Sequence, residues 1–489
     1  MSMEQNRFVV NHFVITGESG ITLVEKREAF RSYGSQAIFG RRIAVWLSLC
    51  FLLCLANSRS YALQGNINSH DPSGLVKEGD RYYQFTTGPG IYSAYSTDLI
   101  FWTPAPNTVF PIGTWPSWIN DAVPGFSGQF WAPDVIRLND RWYCYYACST
   151  FGSSRSAIGV ATSDSLEGPW EDQGMVISST VATDINAIDP AVFEDDNGRI
   201  YMTYGSFSGG IGVVELDRHT GKPKKNAQIV KLVGGDQADY EAPYMIKEGH
   251  FYYLFVNRGF CCRGSNSSYY IQVGRSVNPL GPFTGWRTVL SSSGKYIGPG
   301  QFGLLRDGGV NIVSLHYYDA EDRGAPKLDI LTLKFSEDWP VLTRDWIDAG
   351  QYRITNKYNG LVWDAWGCTG ELGQAIAQGS WGNFICQKWY LSPQGDGAYR
   401  ITNALGGRSA DVAFCNPDNG SLIRLWEGLN NNCQKYKIER AADGSYVFSS
   451  LAGPRVVAPP AASTDPGLQF GLWDYVGQAW QKWGIDAAP

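Results

Sequence analysis

Three carboxylates and one tryptophan lie at the same distance from an aromatic residue in four separate stretches of the chain. A proline follows each of them closely, and a polar turn precedes each aromatic run. Counting back twelve residues from Tyr83, Tyr143, Tyr201 and Tyr253 leads to Asp71, Trp131, Asp189 and Glu241. The pattern predicts four copies of one structural unit, whose three acids converge if the units surround an axis.

Three convergent carboxyl groups suit the hydrolysis of a glycosidic bond. One carboxylate activates water as a general base, and one protonated carboxyl group donates its proton to the leaving oxygen. A third acid beside the proton donor raises the donor's pKa and orients it. The alternative is that an acid before a proline only caps a turn. That alternative explains one such acid better than three in equivalent places.

The segment 65–343 consists of short apparent strands separated by Gly, Pro, Asn and Asp, without a helical period. An outer-strand motif recurs five times, at a spacing of roughly 50–60 residues. Units of this size predict an all-β fold, a five-bladed β-propeller. A two-sheet sandwich would account for the strands but not for the register of the acids.

A second repeat, of 47 residues, occupies residues 350–487. The sequence Arg353-Ile354-Thr355-Asn356 recurs at 400–403, and Gln387-Lys388-Trp389 recurs at 434–436 and at 481–483. Three copies predict a threefold β-trefoil after the propeller.

The composition limits the class of partner. The net charge of −6 argues against nucleic acid or a stable membrane partner. Only five histidines are present, which disfavours a zinc site built from several of them. The 18 Trp and 27 Tyr suit aromatic sugar platforms, although aromatic cores give the same composition.

The N-terminal residues 1–62 are predicted to be a signal peptide with an atypical extension. Arg41-Arg42 precede an apolar run over 43–56, which is shorter than the ~20 residues that span a bilayer. Residues 60–62 offer a small-x-small cleavage site. We interpret residues 1–40 as a mistaken start of the gene, with a signal-anchor tail as the alternative. The protein is therefore expected to be secreted and extracellular, where disulfides are permitted.

Two cysteine pairs lie within the propeller segment. Cys144 and Cys148 are on one face of a predicted strand, about 13 Å apart at strand rise, so we expect two buried thiols. Cys261-Cys262 allow either a vicinal disulfide near the pocket or two buried thiols.

The motifs around the acids resemble glycoside hydrolase family 43 over residues 68–342. They are His70-Asp71-Pro72-Ser73 and the stretches 131–134, 188–190 and 241–244. The stretches 204–211, 260–264, 296–300 and 316–319 look like its arabinanases in particular. The resemblance implies that Asp71 is the general base and Glu241 the general acid. It also implies that Asp189 tunes and positions the acid and that Trp131 is a sugar platform.

The same resemblance implies further contacts. Asn186, Ser206 and Arg263 would bind substrate, and His316 would lie on the propeller axis and help to hold a calcium ion, largely through waters. Calcium prefers oxygen ligands, so a core histidine is the alternative for His316. No organic cofactor is expected. Ser208 and Gln301 depart from the arabinanase pattern near the cleft, which leaves endo and exo cleavage open.

The three Gln-x-aromatic motifs resemble the ricin-type lectin family, also called carbohydrate-binding module family 13. The resemblance, together with the 47-residue offset, implies disulfides Cys368–Cys386 and Cys415–Cys433. It implies sugar contacts at Asp364 and Trp381 in the first repeat and at Asp411 and Trp426 in the second. In the third repeat Ala458 replaces the acid. A trefoil that serves only as a structural appendage is the alternative.

Together these patterns predict a secreted, inverting, monomeric hydrolase that cleaves α-1,5-linked arabinan in plant cell-wall polysaccharide. Its partner would be arabinan or related hemicellulose and pectin side chains. An exo-acting arabinanase, a β-xylosidase or a galactanase on the same scaffold is one alternative. A non-catalytic lectin is the other.

Overall fold

The computed structural model describes residues 63–181, 184–235 and 238–488, so the predicted signal peptide lies outside the described residues. The described chain forms five separate β-sheets followed by one twelve-stranded sheet. The five-bladed propeller and the β-trefoil are thereby confirmed. In the described ranges no helix is long and apolar enough to cross a membrane.

The first two blades are five-stranded, with strand orders β1-β6-β5-β3-β2 and β10-β9-β8-β7-β4. Blade 1 consists of β1 (Gln64–Gly65), β2 (Val76–Glu78), β3 (Arg81–Thr86), β5 (Tyr92–Ser96) and β6 (Phe101–Pro104). Blade 2 consists of β4 (Gly88–Pro89), β7 (Gln129–Leu138), β8 (Arg141–Cys148), β9 (Ser156–Ser163) and β10 (Glu171–Ser179). A short helix, α1 (Trp118–Ala122), lies between β6 and β7.

Blades 3 to 5 are four-stranded, and their strands pair in chain order. Blade 3 consists of β11 (Ala191–Glu194), β12 (Ile200–Ser206), β13 (Gly210–Leu216) and β14 (Val230–Val233). Blade 4 consists of β15 (Glu241–Glu248), β16 (Phe251–Arg258), β17 (Tyr270–Ser276) and β18 (Thr284–Leu290). Blade 5 consists of β19 (Tyr296–Asp307), β20 (Val310–Asp319), β21 (Ala325–Ser336) and β22 (Trp339–Thr343).

The middle strands of the blades are apolar on both faces because each blade packs between two others. Every residue of β12 is buried, as is every residue of β8 after Arg141. One core cluster joins Tyr145 of blade 2 to Met202 of blade 3, and another joins Val213 of blade 3 to Leu254 of blade 4. Burial on both faces explains why these strands read as continuous apolar runs rather than as alternating ones.

The trefoil comprises the last twelve strands, and its core contains three fully buried tryptophans, Trp363, Trp389 and Trp483. The strands are β23 (Gly350–Asn356), β24 (Val362–Ala365), β25 (Ile376–Gly379), β26 (Trp389–Gly395), β27 (Ala398–Asn403), β28 (Ser409–Val412), β29 (Ile423–Trp426), β30 (Lys435–Arg440), β31 (Tyr446–Ser450), β32 (Val456–Ala458), β33 (Gly471–Trp473) and β34 (Trp483–Ala487). Trp389 and Trp483 belong to the Gln-x-aromatic motifs, so these motifs contribute to the trefoil core.

The cysteine predictions agree with the structure. Disulfides join Cys368 to Cys386 and Cys415 to Cys433. Cys144 and Cys148 are buried free thiols. Of the two alternatives for Cys261 and Cys262, the structure has the vicinal disulfide.

The propeller and the trefoil belong to one compact unit. The trefoil contacts blade 5 through Lys437, whose Nζ donates to Tyr296 Oη over 2.8 Å. It contacts blade 1 through Tyr475, whose hydroxyl donates to Asp98 Oδ2 over 2.9 Å. Blades 1 and 5 are themselves bridged where Asn68 pairs with Lys327. The trefoil therefore packs against the two blades that close the ring.

The inner strands meet the axis at one residue in each blade that has a left-handed backbone. These residues are Asp71, Ala132, Asp189, Ala242 and Gln301, with φ between 40° and 58°. Such a conformation is disfavoured by roughly 1–3 kcal/mol for a residue with a side chain and is typical of functional sites. All five blades therefore present the same strained backbone element to the axis.

The equivalence inferred from the twelve-residue count is corrected by this register. Asp71 and Asp189 are themselves the left-handed residues, whereas Glu241 and Trp131 precede the left-handed Ala242 and Ala132. In blade 3 five residues separate the paired Glu194 and Ile200, but in blade 4 only two separate Glu248 and Phe251. Because the hairpin loop of blade 3 is longer, the same count of twelve residues reaches the left-handed residue in blade 3 and the residue before it in blade 4. The three acids therefore approach the axis from two kinds of backbone position.

Side chains of one blade hold the left-handed amides of the next. Thr87 Oγ1 accepts from Ala132 N–H at 2.9 Å, and Asp189 Oδ2 accepts from Ala242 N–H at 3.1 Å. Asn257 Oδ1 accepts from Gln301 N–H, and His316 Nδ1 accepts from Asp71 N–H, both at 3.1 Å. Between blades 2 and 3, Asp134 Oδ2 accepts from Val192 N–H at 2.8 Å. Polar bonds thus join each blade to its successor near the axis.

Candidate active site

Asp71 is held by three side chains at the axis end of blade 1. Thr87 Oγ1 donates to Asp71 Oδ2 over 2.9 Å. His70 Nδ1 lies 2.7 Å from the same oxygen, in a close electrostatic contact. His316 Nδ1 lies 3.5 Å from Oδ1. Because Oδ2 carries two of these contacts, Oδ1 is the less occupied oxygen of the carboxylate.

These contacts keep Asp71 ionised. Burial alone would raise the pKa of Asp71, but the charge and contact of His70 and the Thr87 hydrogen bond outweigh it. The pKa of Asp71 is lowered to about 2. An ionised carboxylate with 18% of its side chain exposed is suited to accept a proton from water.

Glu241 has the opposite environment. Burial raises its pKa to about 7, the hydrogen bond donated by Tyr269 opposes the rise, and the charges of Asp71 and Asp239 add to it. At neutral pH a large share of Glu241 therefore carries a proton. Two carboxyl groups whose pKa values are pushed apart in this way are suited to act as base and acid.

Asp189 interacts with both of these acids. Burial raises its pKa well above the ordinary value, and the charges of Glu241 and Asp71 raise it further. The Ala242 N–H, next to Glu241 in the chain, donates to Asp189 Oδ2. The three acids are thus within electrostatic reach of one another, and Asp189 is bonded to the backbone that carries Glu241.

The other predicted substrate contacts occupy different surroundings. Trp131 is partly exposed on β7, beside the axis. Asn186 and Ser206 are buried, and Asn186 Nδ2 donates to Ser206 Oγ over 3.2 Å. Arg263 is exposed, with its guanidinium 4.9 Å from the centre of the Phe260 ring. Their roles as substrate contacts stay predictions.

Several residues at the site were missed by the sequence reasoning. Tyr269 had no signal in the sequence, and Thr87 lies outside every repeated motif. His70 and Tyr318 stand inside motifs that were singled out, directly before Asp71 and two residues after His316. Their functional contacts depend on which blades are neighbours, and this follows only from ring closure.

His316 is the predicted metal-site residue, and it is fully buried on β20. Burial lowers its pKa to about 3, helped by the charge of His70 and opposed by Asp71, so the ring is neutral. Because Nδ1 accepts from Asp71 N–H, the ring proton belongs on Nε2, which is buried and has no partner. This donor fits a water on the axis. It therefore fits calcium only as a hydrated ion, which needs oxygen ligands.

A polar cavity lies between blades 1 and 5, and two residues that contact Asp71 are in its lining. Its volume is about 1040 Å³, and its lining includes His70, Thr87, Gln84, Tyr92 and Arg323. Gln84 is fully buried, and its Nε2 has no partner. The ring of Tyr92 is 42% exposed. An aromatic surface with an unsatisfied amide group in the same cavity is suited to a sugar chain.

The trefoil residues form two unlike sites. In the first repeat Gln387 Nε2 donates to Asp364 Oδ2 over 2.7 Å. In the second repeat Asp411 Oδ2 pairs with Arg424 Nε at 3.1 Å, and the Arg424 guanidinium lies 3.9 Å from the centre of the Trp426 ring. Arg424 thus covers the aromatic face that was predicted to meet a sugar.

Trp381 and Trp426, the two predicted aromatic contacts, lie at different positions relative to the strands. Trp426 ends β29, and the residue 47 positions earlier is Gly379, which ends β25. Trp381 follows β25 by two residues, with Arg353 5.2 Å from its ring centre. The first repeat therefore has an acid but no aromatic at the position that Trp426 occupies in the second.

Comparison with known proteins identifies the propeller. The family model of Glycosyl hydrolases family 43 matches residues 65–340, which is more than half of the chain. The chain belongs to this family. A second family model, described as "Ricin-type beta-trefoil lectin domain-like", matches residues 336–426. The family 43 chain is thus a glycosidase that hydrolyses O-glycosyl bonds, with a lectin-like trefoil attached.

Several enzymes are similar to this chain in sequence. The chain is 35% identical, over 62% of its length and 94% of the relative, to an extracellular exo-α-(1→5)-L-arabinofuranosidase of Cellvibrio japonicus. It is 37% identical, over 55% of its length and 86% of the relative, to an extracellular endo-α-(1→5)-L-arabinanase of Bacillus subtilis. The solved structure of an endo-arabinanase from Bacillus licheniformis has a TM-score of 0.54 at 36% identity. It covers 57% of this chain and 99% of that one.

Proposed function

We propose that this family 43 protein hydrolyses α-1,5-linked arabinan with inversion. The observation that carries the proposal is the separation of pKa values at the axis, about 2 for Asp71 and about 7 for Glu241. Relatives at 35% and 37% identity act on this linkage by name, one in the exo and one in the endo mode. Site and relatives support the same reaction.

The proposed mechanism uses the three acids in separate roles. Asp71 Oδ1 accepts a proton from water, which attacks the anomeric carbon, while protonated Glu241 gives its proton to the leaving oxygen. Burial and the charge of Asp71 raise the pKa of Glu241, and Asp189 holds the Ala242 amide beside it. Tyr269 fixes the orientation of the Glu241 carboxyl group by donating to Oε2.

The cavity between blades 1 and 5 supports a polymeric substrate. Its lining contains His70 and Thr87, which contact Asp71, together with Tyr92. A sugar chain cleaved at the axis would place its neighbouring units there. Cleavage within a chain needs such space on both sides of the scissile bond, and we propose an endo mode, with exo cleavage as the second candidate.

Three further parts of the proposal concern the location of the protein, the ligand of the trefoil and a metal ion. Secretion and action on plant cell-wall arabinan are supported by relatives that are named extracellular. Sugar binding by the trefoil is supported by its lectin-like family match. A hydrated calcium ion on the axis, reached through water from His316 Nε2, would add positive charge near Asp71 and stabilise its ionised form.

The test is to incubate the protein beginning at residue 63 with linear arabinan, branched arabinan, xylan and galactan. We expect mixed short arabino-oligosaccharides from linear arabinan, and NMR should show the anomer opposite to that of the substrate as the first product. Asp71→Asn, which keeps the shape but not the charge, should bind arabinan without cleaving it. A single mono- or disaccharide product would favour the exo mode. Binding without any product from the unaltered protein would contradict the proposal and favour a lectin.

A further inference from the structure

The loop between β16 and β17, residues 259–269, reaches both sides of the active site. Its last residue is Tyr269, whose hydroxyl donates to Glu241. Its first part carries the Cys261–Cys262 disulfide, on the side of Asp71. We call this segment the Cys-Cys loop. One loop of blade 4 therefore touches groups that bear on both the proposed acid and the proposed base.

A chain of contacts leads from the disulfide to the base. Cys262 N–H donates to Tyr318 Oη over 2.8 Å. Tyr318 Oη lies 2.8 Å from His70 Nε2, and Cys262 Sγ lies 3.9 Å from the same nitrogen. His70 Nδ1 in turn lies 2.7 Å from Asp71 Oδ2.

Tyr318 Oη joins the Cys262 amide to the His70 ring. It accepts from the Cys262 N–H and also hydrogen-bonds His70 Nε2, in a direction set by the protonation of the ring. The other ring nitrogen, Nδ1, faces the Asp71 carboxylate. The ring is also fixed in plane by stacking on His316, with centroids 4.6 Å apart. The contacts thus orient both His70 and the oxygen of Asp71 that it faces.

The first donor of the chain depends on an uncommon backbone. Cys262 has φ of 67°, in the left-handed region that residues with a side chain seldom adopt. A covalent link between neighbouring side chains limits the rotations available to this peptide. Without the link, relaxation to an ordinary conformation would turn the Cys262 N–H away from Tyr318.

We propose that the Cys261–Cys262 disulfide is a positioning element for the general base, acting through Tyr318 and His70 on Asp71. The inference rests on the proposed role of Asp71. It makes turnover depend on an oxidised pair of cysteines, of which Cys262 is exposed to solvent. A dithiol reagent can open the bond. Its thiolate attacks one sulfur to form a mixed disulfide, and its second thiol displaces the cysteine. Two protein thiols and one oxidised reagent result.

The experiment compares two double variants on a short linear α-1,5-arabino-oligosaccharide. Cys261→Ser/Cys262→Ser should lower kcat at least tenfold with KM within twofold of the unaltered protein. The matched control, Cys415→Ser/Cys433→Ser, removes a trefoil disulfide and should lower the melting temperature while kcat stays within twofold. A loss of kcat without a loss of substrate binding separates positioning from general destabilisation.

Tyr318→Phe tests the chain without touching the disulfide. It should also lower kcat about tenfold, and adding it to Cys261→Ser/Cys262→Ser should cause little further loss, because both changes break the same chain. Dithiothreitol should lower kcat of the unaltered protein, and re-oxidation should restore it. The double serine variant should not respond to either treatment.

The outcomes separate this inference from the proposed function. If the unaltered protein cleaves the oligosaccharide and either Cys261→Ser/Cys262→Ser or Tyr318→Phe retains kcat within twofold, the positioning role is wrong and the proposed function stands. If the unaltered, oxidised protein cleaves no arabino-oligosaccharide, the proposed function fails and the positioning role with it. Should the double serine variant fail to fold, Tyr318→Phe decides alone.

Discussion

The amide N–H of Ala242 donates to Asp189 Oδ2 over 3.1 Å, so the acid of blade 3 is bonded to the residue that follows the acid of blade 4. Asp189→Asn keeps an oxygen that can accept this bond but removes an ionisable group that interacts with Asp71 and Glu241. We expect kcat to fall about 10²-fold or more, because the acids at the axis act together in proton transfer. Steady-state kinetics across pH 5–9 measures the loss.

Asp189→Ala is the matched variant. It should lower kcat to a similar extent and also reduce the free energy of unfolding by about 1–3 kcal/mol, because the Ala242 amide loses its buried acceptor. Equal melting temperatures for the two variants would contradict the role of this bond in the fold.

Glu241→Gln should lower kcat by about 10²–10⁴-fold, since the proton donor is lost. Its effect on stability should depend on pH. The folded-state pKa of Glu241, about 7, lies above the ordinary value of 4.5. The stability that the protein has with protonated Glu241 is therefore fully present below pH 4.5, and ionisation of this buried group reduces the free energy of unfolding as the pH rises through about 7. Removing the ionisable group should therefore stabilise the protein by about 3 kcal/mol at pH 8 and hardly at all at pH 4. Melting curves at the two pH values check the sign, and a variant equally stabilised at both would contradict it.

Tyr269→Phe removes a hydrogen bond that lowers the pKa of Glu241. Without it the pKa should rise further above 7, so the enzyme should remain active to higher pH. The maximal kcat should fall by a factor of about ten, because the carboxyl group is less well oriented. A pH profile of kcat/KM reports the change. An alkaline limb that moves to lower pH would refute the assignment of Tyr269 as donor to the acid.

Removal of a calcium ion from the propeller axis should change both the activity and the stability of the protein. If a hydrated ion sits near His316, metal analysis of the purified protein should find about one calcium per chain. Chelation should then lower both kcat and the melting temperature, and calcium but not magnesium should restore them. His316→Ala should abolish this response. A metal-free protein with full activity would exclude the ion, leaving a buried water as the partner of Nε2.

Arg424→Ala should change the trefoil rather than the propeller. The guanidinium lies over Trp426 and pairs with Asp411, and its counterparts 47 residues away on either side are Ala377 and Gly471. We expect the variant to uncover Trp426 and to be retained more strongly on immobilised polysaccharide, with kcat on short oligosaccharides unchanged. Affinity electrophoresis in arabinan and galactan gels measures retention. Unaltered mobility in both gels would mean that the second repeat is not a sugar site even when open.

The repeats allowed much of the architecture to be predicted. Apolar strands separated by turn residues, recurring at a nearly constant interval, have few compact solutions other than blades around an axis. The 47-residue offset likewise specified the trefoil and which cysteines face each other. Such periodic signals survive because every copy must bury the same faces.

The details that failed are those set by local insertions. The count from Tyr201 leads to Asp189, but a longer hairpin loop in blade 3 hid the difference in register between Asp189 and Glu241. In the trefoil, Trp381 and Trp426 are 45 residues apart although the strands repeat at 47, so the two candidate aromatics do not share one strand position. Side-chain partners such as Thr87 and Tyr269 depend on contacts between successive blades or on loop paths. Neither leaves a period in the sequence.

The five left-handed residues at the axis have an evolutionary consequence. Each blade has the same left-handed backbone at the axis, and only the identity of the side chain there, or just before it, distinguishes Asp71 and Asp189 from Ala132, Ala242 and Gln301. A duplicated blade thus brings another such position to the axis, where a mutation can introduce an acid, an aromatic or an amide side chain without a change in the main chain. Specificity can then change by substitution at one blade, while the side chains of the other blades retain their catalytic roles.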